Sequence, residues 1–252
     1  VGKVRHLVVS IGLASLASAC SASNATAPAD RTCSGPGSLP IDSACLVFQD
    51  QGELDQFRTD IGHEIRRGVD AVRTLLPIDG VIIRVVASSE LVIPELGMSG
   101  RASRGDEVRL AFDPRSPVLD ASLQTALFPM LAHELHHIAR QRTVGYGADL
   151  LGAMVSEGLA DHFSLEVAGG SPPPWSTALT DSELAEWSAR AETEWFDTGY
   201  DHDRWFLGAD PEVPRWAGYA IGFSLVGEYL AGQPGRSASA MYDAPRQAFV
   251  AD

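Results

Sequence analysis

The chain has 252 residues, 45% of them hydrophobic and 21% charged, enough apolar material for one sizeable core. Its formal net charge of −14 argues against a nucleic-acid partner, because a phosphate backbone selects Lys- and Arg-rich surfaces. Acidity beyond that predicts solubility and no specific partner.

"VGKVRH" followed by "LVVSIGLASLASA" reads as a charged start, a short apolar stretch and a small-residue cleavage site. That pattern predicts a secretory signal peptide over residues 1–19. "LASAC" resembles a bacterial lipobox, which implies acylation at Cys20 and a membrane attachment through an N-terminal lipid. "ASA" is equally a site for ordinary signal peptidase, so both exits stay open. Residues 20–45 then form a tether, since "SASNATAPADRT" has few large apolar residues. Setting Cys20 aside leaves Cys33 and Cys45, a candidate disulfide in an exported protein. The expected location is the cell envelope, and the expected functional domain spans 46–252.

Leu54, Phe57, Ile61, Ile65, Val69, Val72 and Leu76 keep a helical period that Pro77 ends. "VIIRVVA" (81–87) is a β-branched strand candidate, and "EVRLAF" (107–112) alternates as a strand with one buried face should. "PELGMSGRASRGDE" between them is Gly- and Ser-rich and reads as a loop. Beyond Asp113 the pattern is helical. Asp120 is a candidate cap for a short helix that Pro129 kinks or restarts. Helices follow to about Arg142, over 148–168 until "GGSPPP", from the Thr180/Glu183 capping box to about Phe196, and over 215–231. The expected fold class is α+β, a small β-sheet packed on a mostly helical body.

"MLAHELHHIARQ" carries the chemistry. Residues four apart share a helix face, so His133 and His137 with Glu134 form HExxH, two imidazole ligands and a general base. His136 lies outside that pattern and is expected to pack or face solvent. "HEIRR" at 63–67 begins alike but has Arg67 at the second histidine's place, so it reads as a solvated helix face. Nineteen residues separate His137 from Glu157 in "SEGLAD", where Glu157 and Asp161 stand four apart on a helix too apolar to be solvated throughout. Buried carboxylates need partners. Glu157 is the candidate third ligand, and Asp161 the acceptor for a ligand histidine's free ring N–H.

HExxH with a downstream ExxxD resembles the gluzincin, zincin-like metallopeptidases. "AHELHH", "VSEGLADHF", "YDHDRWFLG" and "RWAGYAIGFSLVGEYL" resemble a predicted zinc-dependent protease family, domain of unknown function 2268, from about Asp120 onward. The resemblance implies His133, His137 and Glu157 as ligands of one Zn²⁺ per chain, Glu134 as base, Asp161 behind the metal, and a peptide or protein substrate. For the oxyanion donor, Tyr219 in "GYAIG" and His202 in "YDHDRW" both fit, though Tyr219 also matches its helix's apolar stripe and His202 has Asp201 and Asp203 as neighbours. A non-catalytic, zinc-stabilised envelope lipoprotein is the alternative; the intact Glu134 argues for the enzyme.

Overall fold

A computed structural model describes residues 33–250. The expected signal peptide, Cys20 and residues 21–32 of the tether lie outside them. Residues 38–112 build the sheet. β1 (Ser38–Ile41) and β2 (Ala44–Phe48) form an antiparallel hairpin, and Asp42 turns the chain at φ 43°. Cys33 is disulfide-bonded to Cys45, which ties the preceding segment to β2. A short 3₁₀ turn leads into α1 (Arg58–Val72), and α1 crosses over to β3 (Ile82–Ala87), parallel to β2.

β4 (Met98–Ser103) and β5 (Glu107–Phe112) complete the order β1-β2-β3-β5-β4. β5 runs parallel to β3, and β4 is the antiparallel edge. The loop expected over 94–107 is thus corrected at its centre. "MSGRAS" has no β-branched residue, and the ladder with β5 supplies what local propensity does not. Ile83, Val85, Val108 and Leu110 are fully buried on one sheet face, alternating with Arg84 and Arg109 on the other.

The buried face packs on helices. α2 (Leu119–Thr125) follows Val118, not Asp120, which lies in the first turn and makes no cap hydrogen bond. A carboxylate there still complements the helix dipole. α3 (Leu127–Gln141) restarts at once with Pro129 in its first turn, where a missing N–H costs nothing. α4 (Leu150–Ala168) starts at an Asp149 cap that accepts from the Gly152 N–H at 2.9 Å, and it is buried on nearly every side. α5 (Asp181–Glu194) opens with the Thr180/Glu183 capping box.

α6 (Ala217–Ala231) lies across α4 at backbone distance. A Cβ on Gly158 would run into the Gly222 carbonyl, and one on Gly222 into that of Met154. This contact brings the first turns of α6 over the middle of α4. Among the described residues no helix is long and apolar enough to cross a membrane.

Candidate metal centre

α3 sets His133 and His137 one turn apart, with their Nε2 atoms 2.9 Å from each other. α4 supplies Glu157, whose Oε2 lies 3.1 Å from His133 Nε2 and 3.4 Å from His137 Nε2. All three side chains are buried, and together they form a group able to hold a metal ion.

The donor set fits zinc. Tetrahedral Zn²⁺ with bonds of about 2.0–2.1 Å holds neighbouring ligand atoms about 3.3–3.4 Å apart, close to the triangle observed. The chemistry fits as well. His133 Nδ1 is 2.7 Å from Asp161 Oδ1, so Nδ1 carries the proton shared with that carboxylate and Nε2 is left as a lone pair facing the other two donors. Three lone-pair donors in van der Waals contact repel unless a cation or a proton sits among them. Burial alone would lower the His133 pKa, but Asp161 and then Glu157 raise it well above the imidazole range. The carboxylates therefore draw positive charge to this spot, which a metal ion would supply by displacing the proton.

Each carboxylate is held from behind. Asp161 is fully buried and also accepts from Trp175 Nε1 at 3.0 and 3.1 Å and from Ser176 Oγ at 2.5 Å. Glu157 Oε1 accepts from the Tyr146 hydroxyl at 2.5 Å, which leaves Oε2 for the histidines. Burial favours protonation of Glu157, yet the two histidines hold its pKa well below the usual carboxylate range. Glu134 lies against the edge strand and accepts from the Ala102 N–H at 2.5 Å. Burial raises its pKa despite the neighbouring imidazoles, which makes it a stronger proton acceptor than an exposed carboxylate.

A cavity of about 460 Å³ opens over these groups, and both Tyr219 and His202 line it. Tyr219 packs edge-on against Phe206, with ring centroids 5.1 Å apart. Burial and then the Glu157 charge push its pKa well up, so its hydroxyl stays a donor. His202 stacks on Phe206 at 4.5 Å, and its Nδ1 meets the Tyr200 hydroxyl at 3.5 Å in place of Asp201 or Asp203. Burial lowers its pKa, so it is neutral near pH 7.

The other described histidines stand apart. His136 is fully buried against Phe163, and burial lowers its pKa well below the imidazole range. Nε2 of His162 is 2.9 Å from the Phe223 carbonyl, and its ring stacks on Phe223 at the α4–α6 contact. His63 and Glu64 contact each other at 3.1 Å on the outer side of α1.

Neither motif nor helical period singles out Tyr146, Trp175, Ser176 or Ala102. Tyr146 sits between Gly145 and Gly147, both at positive φ, and that "GYG" is the one local signal available. The others act from a Pro-rich connection and through a backbone N–H, and neither leaves a side-chain pattern.

A family model described as "Predicted Zn-dependent protease (DUF2268)" matches residues 57–251. The chain belongs to this family. The match begins at the start of α1, so the DUF2268 domain includes most of the sheet as well as the helices that carry the metal-binding group. No curated protein matches the chain. Among solved structures, a yeast LTA4 hydrolase in complex with bestatin is similar at 13% identity and a TM-score of 0.44, over 84% of this chain and 32% of that one. The chain thus spans about a third of that protein's length.

Proposed function

We propose that the protein is a gluzincin-like zinc peptidase that binds one Zn²⁺ per chain through His133, His137 and Glu157. Convergence of these three donors beside Glu134 is the observation that carries the reading. Bound zinc would polarise a substrate carbonyl and lower the pKa of its water to about 7. Glu134 takes the proton of the attacking water and passes it to the leaving amine. Asp161 holds His133 in the tautomer that presents Nε2, and Tyr146 holds Glu157 so that Oε2 faces the histidines. Tyr219 donates to the developing oxyanion, and His202 is the second donor on the same wall.

The test uses one preparation with zinc quantified, assayed on a peptide library beside Glu134→Gln. Wild type should cleave, and the variant should retain zinc while losing at least about 10²-fold in kcat. Equal turnover by both proteins, each holding zinc, would remove Glu134 from the mechanism.

We further propose that the protein is exported to the cell envelope. The Cys33–Cys45 disulfide supports this, because such bonds persist in oxidising compartments. Acylation at Cys20 belongs to the same proposal. Mass spectrometry of the mature N-terminus tests it, and an unacylated Cys20 would end the lipid-anchor reading.

A further inference from the structure

Three arginines stand side by side across the outer face of the sheet. The register sets Arg84 of β3 opposite Arg109 of β5, and Arg109 opposite Arg101 of β4. Like charges facing each other across strands destabilise a sheet, so the row needs compensation. Arg84 has it, since its Nε donates to Glu107 Oε2 at 2.7 Å. Among the described residues no carboxylate lies within ion-pair distance of Arg109, of Arg101, or of Arg104 in the turn after β4.

The row ends at the mouth of the metal centre. Arg101 lines the 460 Å³ cavity over the metal-binding group and also an adjoining cavity of about 840 Å³. The second cavity has Arg104, Arg142 and Arg246 on its walls. Arg142 is paired with Asp106 at 2.8 Å and Arg246 with Asp149 at 2.6 Å, so the uncompensated charge is that of Arg101 and Arg104. The two cavities share Arg101, Ala102, Gln141 and Tyr146, so they adjoin and a chain seated over Glu134 has room to extend into the basic one.

This basic extension is set in a protein of net charge −14. At physiological salt, charge more than about 8 Å away is largely screened, so the lining groups decide what is attracted: carboxylates including Asp203 in the 460 Å³ cavity, and the guanidiniums of Arg101 and Arg104 in the adjoining one. A guanidinium holds a carboxylate through two parallel N–H···O bonds, which an amide or hydroxyl cannot match.

We propose that the cavity beside the end of β4 binds substrate carboxylates, and that the enzyme selects peptides with Asp or Glu on one side of the scissile bond, held by Arg101 and Arg104. The proposal rests on the peptidase reading for cleavage but not for binding. Its test therefore has two arms. In the first, a position-scanned peptide library is cleaved by wild type, Arg101→Gln, Arg104→Gln, the double variant, and Arg73→Gln at the C-cap of α1 as a remote charge control. The readout is the ratio of kcat/KM for acidic peptides to that for their Asn or Gln counterparts. The ratio should exceed one in wild type for acidic residues on one side of the cleavage point. It should fall about two- to fivefold in each single variant and about tenfold in the double, and hold in Arg73→Gln.

In the second arm, fluorescent acidic and amidated peptides are titrated against inactive Glu134→Gln with and without Arg101→Gln. A wild-type ratio of one, or a ratio that the double variant leaves unchanged, overturns the proposal and leaves the peptidase reading intact. Equal binding of acidic and amidated peptides also overturns it. Arginine-dependent acidic binding without any cleavage upholds the pocket and refutes the peptidase.

Discussion

Gly100→Ala probes how closely β4 is fitted to the proposed base. A Cβ at Gly100 falls 2.7 Å from Glu134 Cγ, 2.9 Å from Oε1 and 3.1 Å from Cδ. Carbon atoms sit comfortably at about 3.5 Å or more, so something must yield by about 0.8 Å. Glu134 has little room to do so, since it is buried and its Oε2 is pinned to the Ala102 N–H two residues along the same strand. Moving a reacting group by about 1 Å costs on the order of 10²-fold in rate, about 2.7 kcal/mol of barrier. The added methyl's closest contacts are all to Glu134 and none to a metal-binding side chain, so zinc should stay. Overpacking should lower stability by about 1–3 kcal/mol. The assay is kcat/KM on a fluorogenic peptide, with zinc content and melting temperature measured on the same sample. The expected variant is folded and zinc-loaded, with kcat down about 10²-fold and KM little changed. A zinc-loaded Gly100→Ala protein working at the wild-type rate would show that Glu134 does not act from this position.

Three further perturbations separate the supports of the site. Tyr146→Phe removes the donor to Glu157 Oε1 and should weaken zinc about 10- to 100-fold in competition with a chromophoric chelator; unchanged affinity would reduce Tyr146 to packing. Chelation should lower the melting temperature and added zinc restore it, by about 2.7 kcal/mol when free zinc is 100 times its dissociation constant; a melting temperature indifferent to zinc would mean the triad does not bind it in the folded state. Replacing both Cys33 and Cys45 by Ser opens a loop of sequence separation 12, worth about 3 kcal/mol, and should leave zinc content alone because β1 and β2 lie at the opposite end of the sheet from β4. Loss of zinc with the disulfide would contradict that placement.

What the sequence made legible is what helical periodicity encodes. His133 and His137, and then Glu157 and Asp161, are pairs whose four-residue spacing alone projects them onto common faces of α3 and α4, and Glu134 follows from the HExxH motif. The edge strand was not legible, because "MSGRAS" is strand only through its partner β5 and its fit to Glu134. Tyr146, Trp175 and Ser176 come from connections without a period, so nothing in their spacing says how far they reach. The parallel β2-β3-β5 order is likewise set by pairing between strands distant in the chain.

The supports around Glu157 form a continuous path to the C-terminal segment. Arg140, buried one turn after His136, donates to Ser156 Oγ at 2.8 Å and to the carbonyls of Tyr242 and Ala244 at 3.1 and 2.9 Å. Ser156 Oγ in turn donates to the Tyr146 carbonyl, and the Tyr146 hydroxyl reaches Glu157. Burial lowers the Arg140 pKa to about 10, which still leaves it charged at neutral pH and therefore dependent on those acceptors. A buried guanidinium bonded to two carbonyls fixes the C-terminal segment against α3, and the same group fixes the loop that holds Glu157. The metal-binding group is thus placed by two helices and kept in register by a third, aperiodic layer. Residues about a hundred positions from the histidines are tied to it through the Arg140 bonds to Tyr242 and Ala244.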